Sequence, residues 1–167
     1  MRIRAEEHSD RASVHAVNAS AFDTPDEADL VDALRRQAQP VVSLVAVDEG
    51  EIVGHILFSP VLLPEHPGLK IMGLAPMAVV PGRRREGIGS ALVRAGLEHC
   101  RQIACGAVVV LGHSGYYTRF GFSSSARFGI GCEYDVPEEA FMAIELEPGY
   151  LRGVSGKIRY HDAFRNV

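Results

Sequence analysis

Apolar and polar positions along the chain change period at intervals, and each change marks an element. Residues 1–6 read as a short first strand, and Ser9 is placed to cap a helix running to about Phe22. Thr24-Pro25-Asp26-Glu27 predicts a second helix start, with Thr at the N-cap, Pro at the first helical position and Glu at the third. Leu30, Val31 and Leu34 then line one face at helical spacing, and Pro40 ends the segment. Val41–Val47 and Ile52–Leu63 predict strands joined by the turn Asp48-Glu49-Gly50. A turn at Pro64-Glu65-His66-Pro67-Gly68 leads into a strand over Leu69–Val80. Pro76 lies inside that strand and cannot donate to a ladder, which predicts a bulge or a break in pairing. A helix follows from about Glu86 to Ile103, with Ile88, Ala91, Leu92 and Ala95 on one face. Ala107–Leu111 is a continuous apolar run of the kind found in buried parallel strands. A short helix near Ser114–Arg119 and strands at Phe141–Leu146 and around Gly156–Tyr160 complete the pattern.

Strand, helix and strand in that order imply a right-handed βαβ crossover. Ligands of open α/β sheets bind beyond the carboxyl ends of such strands, the edge where Val80 and Leu111 end. The expected architecture is one α/β domain over residues 1–167, with a central mixed sheet splayed after Val80 and flanked by helices. The net charge of −4 argues against a general nucleic-acid partner. The N-terminus has no apolar signal core, and no stretch approaches the roughly 20 apolar residues of a membrane span. Cys100, Cys105 and Cys132 are odd in number and lack CxxC spacing, so they read as reduced thiols of a cytoplasmic protein with no metal site.

The strand ending at Val80 runs into Pro81-Gly82-Arg83-Arg84-Arg85-Glu86-Gly87-Ile88-Gly89-Ser90, a basic glycine-containing turn opening a helix. Gly87 and Gly89 let backbone N–H groups approach an anion, and a helix start adds donors and positive potential. A nucleotide-triphosphate loop would need lysine where Ile88 stands. A dinucleotide fingerprint would need glycine where Leu92 stands. A diphosphate cradle and a plain basic turn at a βα junction both fit what remains.

The pattern Arg84-x-x-Gly87-x-Gly89 resembles the acetyl-CoA signature of the GNAT N-acetyltransferases, and Met77-Ala78-Val79-Val80 resembles that family's cofactor-facing strand. A second stretch, Leu111-Gly112-His113-Ser114-Gly115-Tyr116-Tyr117-Thr118-Arg119-Phe120-Gly121-Phe122, carries the family's tyrosine four residues before a Gly-Phe pair. Its Tyr-x-Arg-Phe-Gly-Phe form looks most like the bacterial YhbS-type branch. The resemblance spans nearly the whole chain. It implies acetyl-CoA as co-substrate, held by Met77, Ala78, Val79, Val80 and the segment Arg83, Arg84, Arg85, Glu86, Gly87, Ile88, Gly89 and Ser90. It implies Tyr117 as the general acid for the leaving thiolate, and the Val79 N–H as the group polarising the thioester. It implies a small-molecule or protein amine as acceptor.

The residues themselves leave several readings side by side. Tyr117 beside Phe120 and Phe122 also fits core packing with its hydroxyl at the rim. The strand carries Gly73, Leu74, Ala75, Pro76 and Met77 where some relatives place a glutamate base, so no base is assigned. Glu27 and His113 are the candidate acceptor contacts, although a capping box with Thr24 explains Glu27 equally well. His55 and His113 are candidate bases by the ordinary histidine pKa, His113 the better placed at the active edge. The rival to a transferase is an acetyl-CoA- or CoA-binding sensor without turnover. A third reading, RNA or protein binding through the arginine triplet, is opposed by the net charge. Strands near the C-terminus leave a homodimer open.

Overall fold

In the computed structural model, which describes Met1–Arg165 and Val167, the chain forms β1 (Arg2–Ala5), α1 (Arg11–Ala21), α2 (Asp26–Gln37), β2 (Val42–Asp48), β3 (Glu51–Val61) and β4 (Ile71–Val79). Then follow α3 (Ile88–Gln102), β5 (Ala107–Leu111), α4 (Ser114–Tyr117), β6 (Ser123–Ser124), β7 (Ile130–Cys132), β8 (Phe141–Glu145) and β9 (Gly156–Ile158). Seven strands hydrogen-bond in the order β1-β2-β3-β4-β5-β8-β6, and β7 pairs with β9 separately. The fold is the mixed α/β sheet expected. β4 and β5 run parallel, whereas β1–β2, β2–β3, β5–β8 and β6–β8 are antiparallel. β6 and β7, of two and three residues, were not among the strands expected.

The chain clusters into two compact units, one of Met1–Ser59, Ala75–His99 and Asp162–Val167, the other of Pro60–Leu74 and Cys100–His161. In the first, Val14, Leu30, Val31, Leu34, Ala38, Val45 and Leu57 form a buried apolar cluster. The apolar face read on the second helix is the face that enters it. Gly54 lets α3 lie close on β3, since a Cβ there would meet Ile88 at 2.9 Å. In the second unit, Ala107–Val110 of β5 and Phe141–Ile144 of β8 are buried side by side. The apolar run of β5 thus faces protein on both sides, as its lack of alternation predicted.

Three expectations need correction. The sheet parts earlier than Val80: β4 pairs with β5 only through Ile71, Met72 and Gly73. Pro76 follows the end of that pairing, its bond to Ala75 being cis. Ser9 is not the helix cap. Instead a 3-10 turn, His8–Asp10, precedes α1, and the Asp10 carboxylate accepts the Glu7 N–H at 2.7 Å. Arg4 grips the same carboxylate at 2.6 and 3.1 Å, which holds its pKa below the usual range. The Thr24–Glu27 capping box does not form either. Pro25 takes the cap position, and Thr24 Oγ1 accepts only the Asp26 N–H, at 3.3 Å.

His55 is fully buried on β3 within a chain of polar side chains. The Val14 carbonyl accepts from Asn18 Nδ2 at 3.0 Å, which fixes the orientation of the amide. The same nitrogen faces His55 Nδ1 at 3.0 Å, so Nδ1 must accept. Nε2 then carries the proton and donates to Ser43 Oγ at 2.9 Å, and the Ser43 hydroxyl donates to Glu6 at 3.0 Å. Arg35 closes the chain, bonding Glu6 at 2.6 Å and Asp32 at 2.9 Å. Burial, with the Arg35 charge second, pushes the His55 pKa down to about 3. His55 is therefore a neutral structural group rather than a base.

Because the unfolded chain protonates this histidine near its ordinary value and the folded chain does not, stability declines as pH drops from about 6.5 towards about 3. The slope from this one group approaches about 1.4 kcal/mol per pH unit. Urea unfolding between pH 6.5 and about 5.5, above the range of the carboxylates, is expected to show that decline in wild type and a flatter profile in His55→Gln. Equal slopes would show that His55 is not the group responsible.

Candidate functional site

β4 ends with Val80 N–H still bonded to the Val53 carbonyl at 3.0 Å. A single 3-10 turn, Pro81–Arg83, follows, closed by Arg83 N–H to Val80 O at 2.9 Å. Two left-handed residues then redirect the chain, Arg85 at φ 65° and Gly87 at φ 84°. Gly87 hands over to α3, and its carbonyl accepts the Ala91 N–H at 3.0 Å. The amides of Ile88 and Gly89 head a helix, and the carbonyls four residues back precede it. Space around Gly87 is open, so the glycine is required by its dihedral angle and not by crowding within the protein. Arg85 holds a comparable angle with a full side chain, as do Glu49 and Ala104 at other turns of the chain.

The three arginines do different things. Arg83 spans Asp48 Oδ2 at 2.8 Å and Glu86 Oε1 at 2.9 Å. The guanidinium holds the Asp48 carboxyl below its usual range, and both acids raise Arg83 further. Asp48 also receives the chain's N-terminal ammonium at 3.5 Å. Arg84 donates to the Ala21 carbonyl at 3.0 Å, tying the turn to the end of α1. Arg85 is exposed and has no ion pair among the described residues. Of the other cofactor-facing candidates, Ala78 is buried, while Met77, Val79, Val80, Gly89 and Ser90 are half-buried. Asp48 and the Ala21 carbonyl were missed as anchors, because nothing local in sequence couples them to the turn.

In the second unit, β5 delivers its end into Gly112-His113 and the single turn of α4. The His113 carbonyl accepts the amides of Tyr116 at 3.1 Å and Tyr117 at 3.2 Å. His113 is itself exposed. The Tyr117 ring lies directly over Gly112, where any Cβ would strike it. Edge contacts from Tyr116 at 5.0 Å and Phe122 at 5.6 Å hold the ring in place. Arg119 stacks over Tyr116 at 4.7 Å. Gly121 stops the segment at φ 102°, which explains the glycine of the Gly-Phe pair. Burial first, then Tyr116, pushes the Tyr117 pKa up to about 12, so the hydroxyl stays a neutral donor at ordinary pH.

Glu27 is half-buried on the first turn of α2, and with no capping box its carboxylate is not committed to the helix end. His15, Asp29 and Asp32 offer three ligand atoms within 4.8 Å of one another. Asp32 there already holds Arg35 at 2.9 Å and His15 at 2.9 Å, so a cation already occupies its charge.

Residues 6–122 match the Acetyltransferase (GNAT) family. The chain is 36% identical over 165 residues to the N-acetyltransferase YhbS of Escherichia coli K12, covering 98% of each protein. It is 42% identical over 135 residues to the N-acetyltransferase YjhQ of the same strain, covering 78% of this chain and 75% of that one. Among solved structures it superposes on E. coli YhbS in complex with CoA at a TM-score of 0.91, with 34% identity over 98% of this chain and 91% of that chain. A GNAT acetyltransferase from Brucella melitensis in complex with acetyl-CoA superposes at 0.80, with 35% identity over 98% of this chain and 97% of that chain.

Two glycines separate conformation from space. Gly87→Ala is expected to lose about 1 kcal/mol through its left-handed angle alone. Gly112→Ala is expected to lose about 1–3 kcal/mol by forcing the Tyr117 ring aside. Urea unfolding midpoints measure both, and a neutral Gly112→Ala would contradict the packing described.

Proposed function

The chain belongs to the GNAT family of acetyltransferases, and from that premise we propose that it moves the acetyl group of acetyl-CoA to a primary amine by direct attack in a ternary complex. The observation that carries this is the left-handed turn at Arg85 and Gly87 leading β4 into the start of α3. It presents backbone donors to a diphosphate, with Arg85 the arginine not paired to a carboxylate or carbonyl. CoA and acetyl-CoA are bound by the relatives from E. coli and B. melitensis. The β4 backbone from Met77 to Val80 would pair with the extended pantetheine arm, and the Val79 N–H would polarise the thioester carbonyl.

The amine nitrogen attacks the thioester carbon, the C–S bond breaks, and the proton lost by nitrogen ends on the CoA sulfur. Tyr117 is the proposed donor to that sulfur. Its pKa of about 12 lies above the roughly 8.5 of an ordinary thiol, so outright transfer would cost on the order of 5 kcal/mol. The tyrosine therefore serves best as a hydrogen-bond donor while charge develops. Its proton moves across only as the amine supplies another. β4 carries no ionisable group from Gly73 to Met77. Glu27 and His113 are the proposed contacts of the acceptor amine, with Glu27 supplying charge complementary to an ammonium. We take the 167 residues to act as one domain. The three free thiols fit a reducing, cytoplasmic setting.

The same absence of a base on β4 favours the second reading, a CoA-binding sensor without turnover. Calorimetric titration with acetyl-CoA, free CoA and ATP tests the cofactor. Wild type is expected to bind acetyl-CoA, ATP to be inert, and Arg84→Ala/Gly87→Trp to lose binding. A wild type that does not bind acetyl-CoA overturns both readings. Tyr117→Phe then separates them, with kcat expected to fall about a hundredfold or more while KM for acetyl-CoA is unchanged. Binding without any CoA release across a panel of amines would leave the sensor.

A further inference from the structure

The end of α3 brings two thiols together. Cys105 N–H donates to the Cys100 carbonyl at 3.0 Å, and Ala104 N–H to the Arg101 carbonyl at 3.0 Å. These are the two bonds of a Schellman stop, and Ala104 takes the left-handed position at φ 62° despite its side chain. In such a stop the residue following the left-handed one folds back onto the helix residue five positions earlier, usually through an apolar contact. Here both partners are cysteines. Cys100 has no exposure and Cys105 has 5%. The Cys100 thiol donates to Met72 Sδ at 3.9 Å. The Cys105 thiol donates to the Ala107 carbonyl at 3.0 Å. A backbone bond across the pair keeps the two Cα atoms within the roughly 4.4–6.8 Å that a disulfide needs. The acyl transfer proposed above uses neither sulfur.

We propose that Cys100 and Cys105 are a modification site, a dithiol that closes to an intrachain disulfide on reaction with hydrogen peroxide. The two sulfurs are unequal. The neighbouring Cys100 thiol draws the Cys105 pKa down, while the neighbouring Cys105 and burial push Cys100 up. Cys105 is therefore the attacking sulfur. Its thiolate takes one peroxide oxygen, the O–O bond breaks, and the released hydroxide leaves as water with the Cys105 proton. The Cys100 sulfur then attacks the Cys105 sulfenic acid. The S–O bond breaks, and its hydroxyl leaves with the Cys100 proton as a second water. Two thiols give up two electrons and peroxide accepts them, leaving one S–S bond and two waters. The oxidant is water-sized, which suits sulfurs reached only by local opening at a helix end.

The test uses the native, full-length wild-type protein. It is treated with hydrogen peroxide, quenched, unfolded, and its thiols counted with a maleimide by intact mass. Three thiols before treatment are expected to become one, with a mass loss of two hydrogens, and dithiothreitol should restore all three. Trypsin cuts after Arg101, between the two cysteines, so their peptides should stay joined until reduced. Cys132 should remain the maleimide-reactive residue. Cys100→Ser is expected to lose the intrachain link and to accumulate oxygen adducts at Cys105. Wild type that keeps three thiols, that links through Cys132, or that gains oxygen without an S–S bond overturns the proposal, and these results need no variant to fold.

Discussion

A buried peptide group must find a hydrogen-bond partner, and β4 meets that demand on different terms along its length. From Ile71 to Gly73 it pairs with β5, and beyond Gly73 that pairing ends. Gly73 itself is crowded, since a Cβ there would meet Tyr160 and Val61 at 2.9 Å. Pro76, three residues on, has no N–H to offer a neighbour. On its other edge the strand stays tied to the hairpin, with Val80 still bonded to Val53 at 3.0 Å. The segment before the turn is thus extended, fixed along one edge, and not paired with β5 along the other. An extended ligand arm with amides of its own is what such an edge accepts. The turn at Arg85 and Gly87 then depends on where that strand stops.

The charge of the turn is less than its sequence suggests. Arg83 is paired with Asp48 and Glu86, while Arg84 keeps its charge and lends one nitrogen to a carbonyl. Both bonds are mechanical: one fixes the turn to the β2–β3 hairpin, the other to the end of α1. An anion at this turn would meet the backbone of the helix start and the charges of Arg84 and Arg85. Backbone donors held in place need no side-chain ordering on binding, whereas a flexible guanidinium does.

Much of this was legible in the residues. β5 was read to the residue, and the other long strands and helices to within about two, because a buried apolar run and helical spacing are signals carried by many positions at once. The glycine pattern pointed to the turn because φ above zero leaves a chemical trace. What was not legible were contacts between residues far apart in sequence. Nothing near Asp48 reveals that it holds Arg83, and nothing near His55 reveals Asn18 and Ser43. The helix starts were misread for a related reason. Ser9 and Thr24 have the right side chains, but Asp10 gains Arg4 as a partner from β1, and Pro25 shifts the first turn by one residue. Local propensity gave way to a tertiary ion pair in one case and to ring geometry in the other.

The packing around Tyr117 also sets the state of its hydroxyl. The ring is clasped by Tyr116 and Phe122 and seated on Gly112. That apolar packing is what raises its pKa to about 12. A tyrosine in water would already be partly ionised near pH 10 and would then repel a thiolate. Burial removes that state, leaving a hydroxyl that can only donate to an anion. Loosening the packing would shift the hydroxyl towards its ordinary pKa and at the same time release the ring from its position. The aromatic cluster is thus the means by which the sequence keeps a neutral donor in a fixed place, and its structural and chemical roles are one constraint.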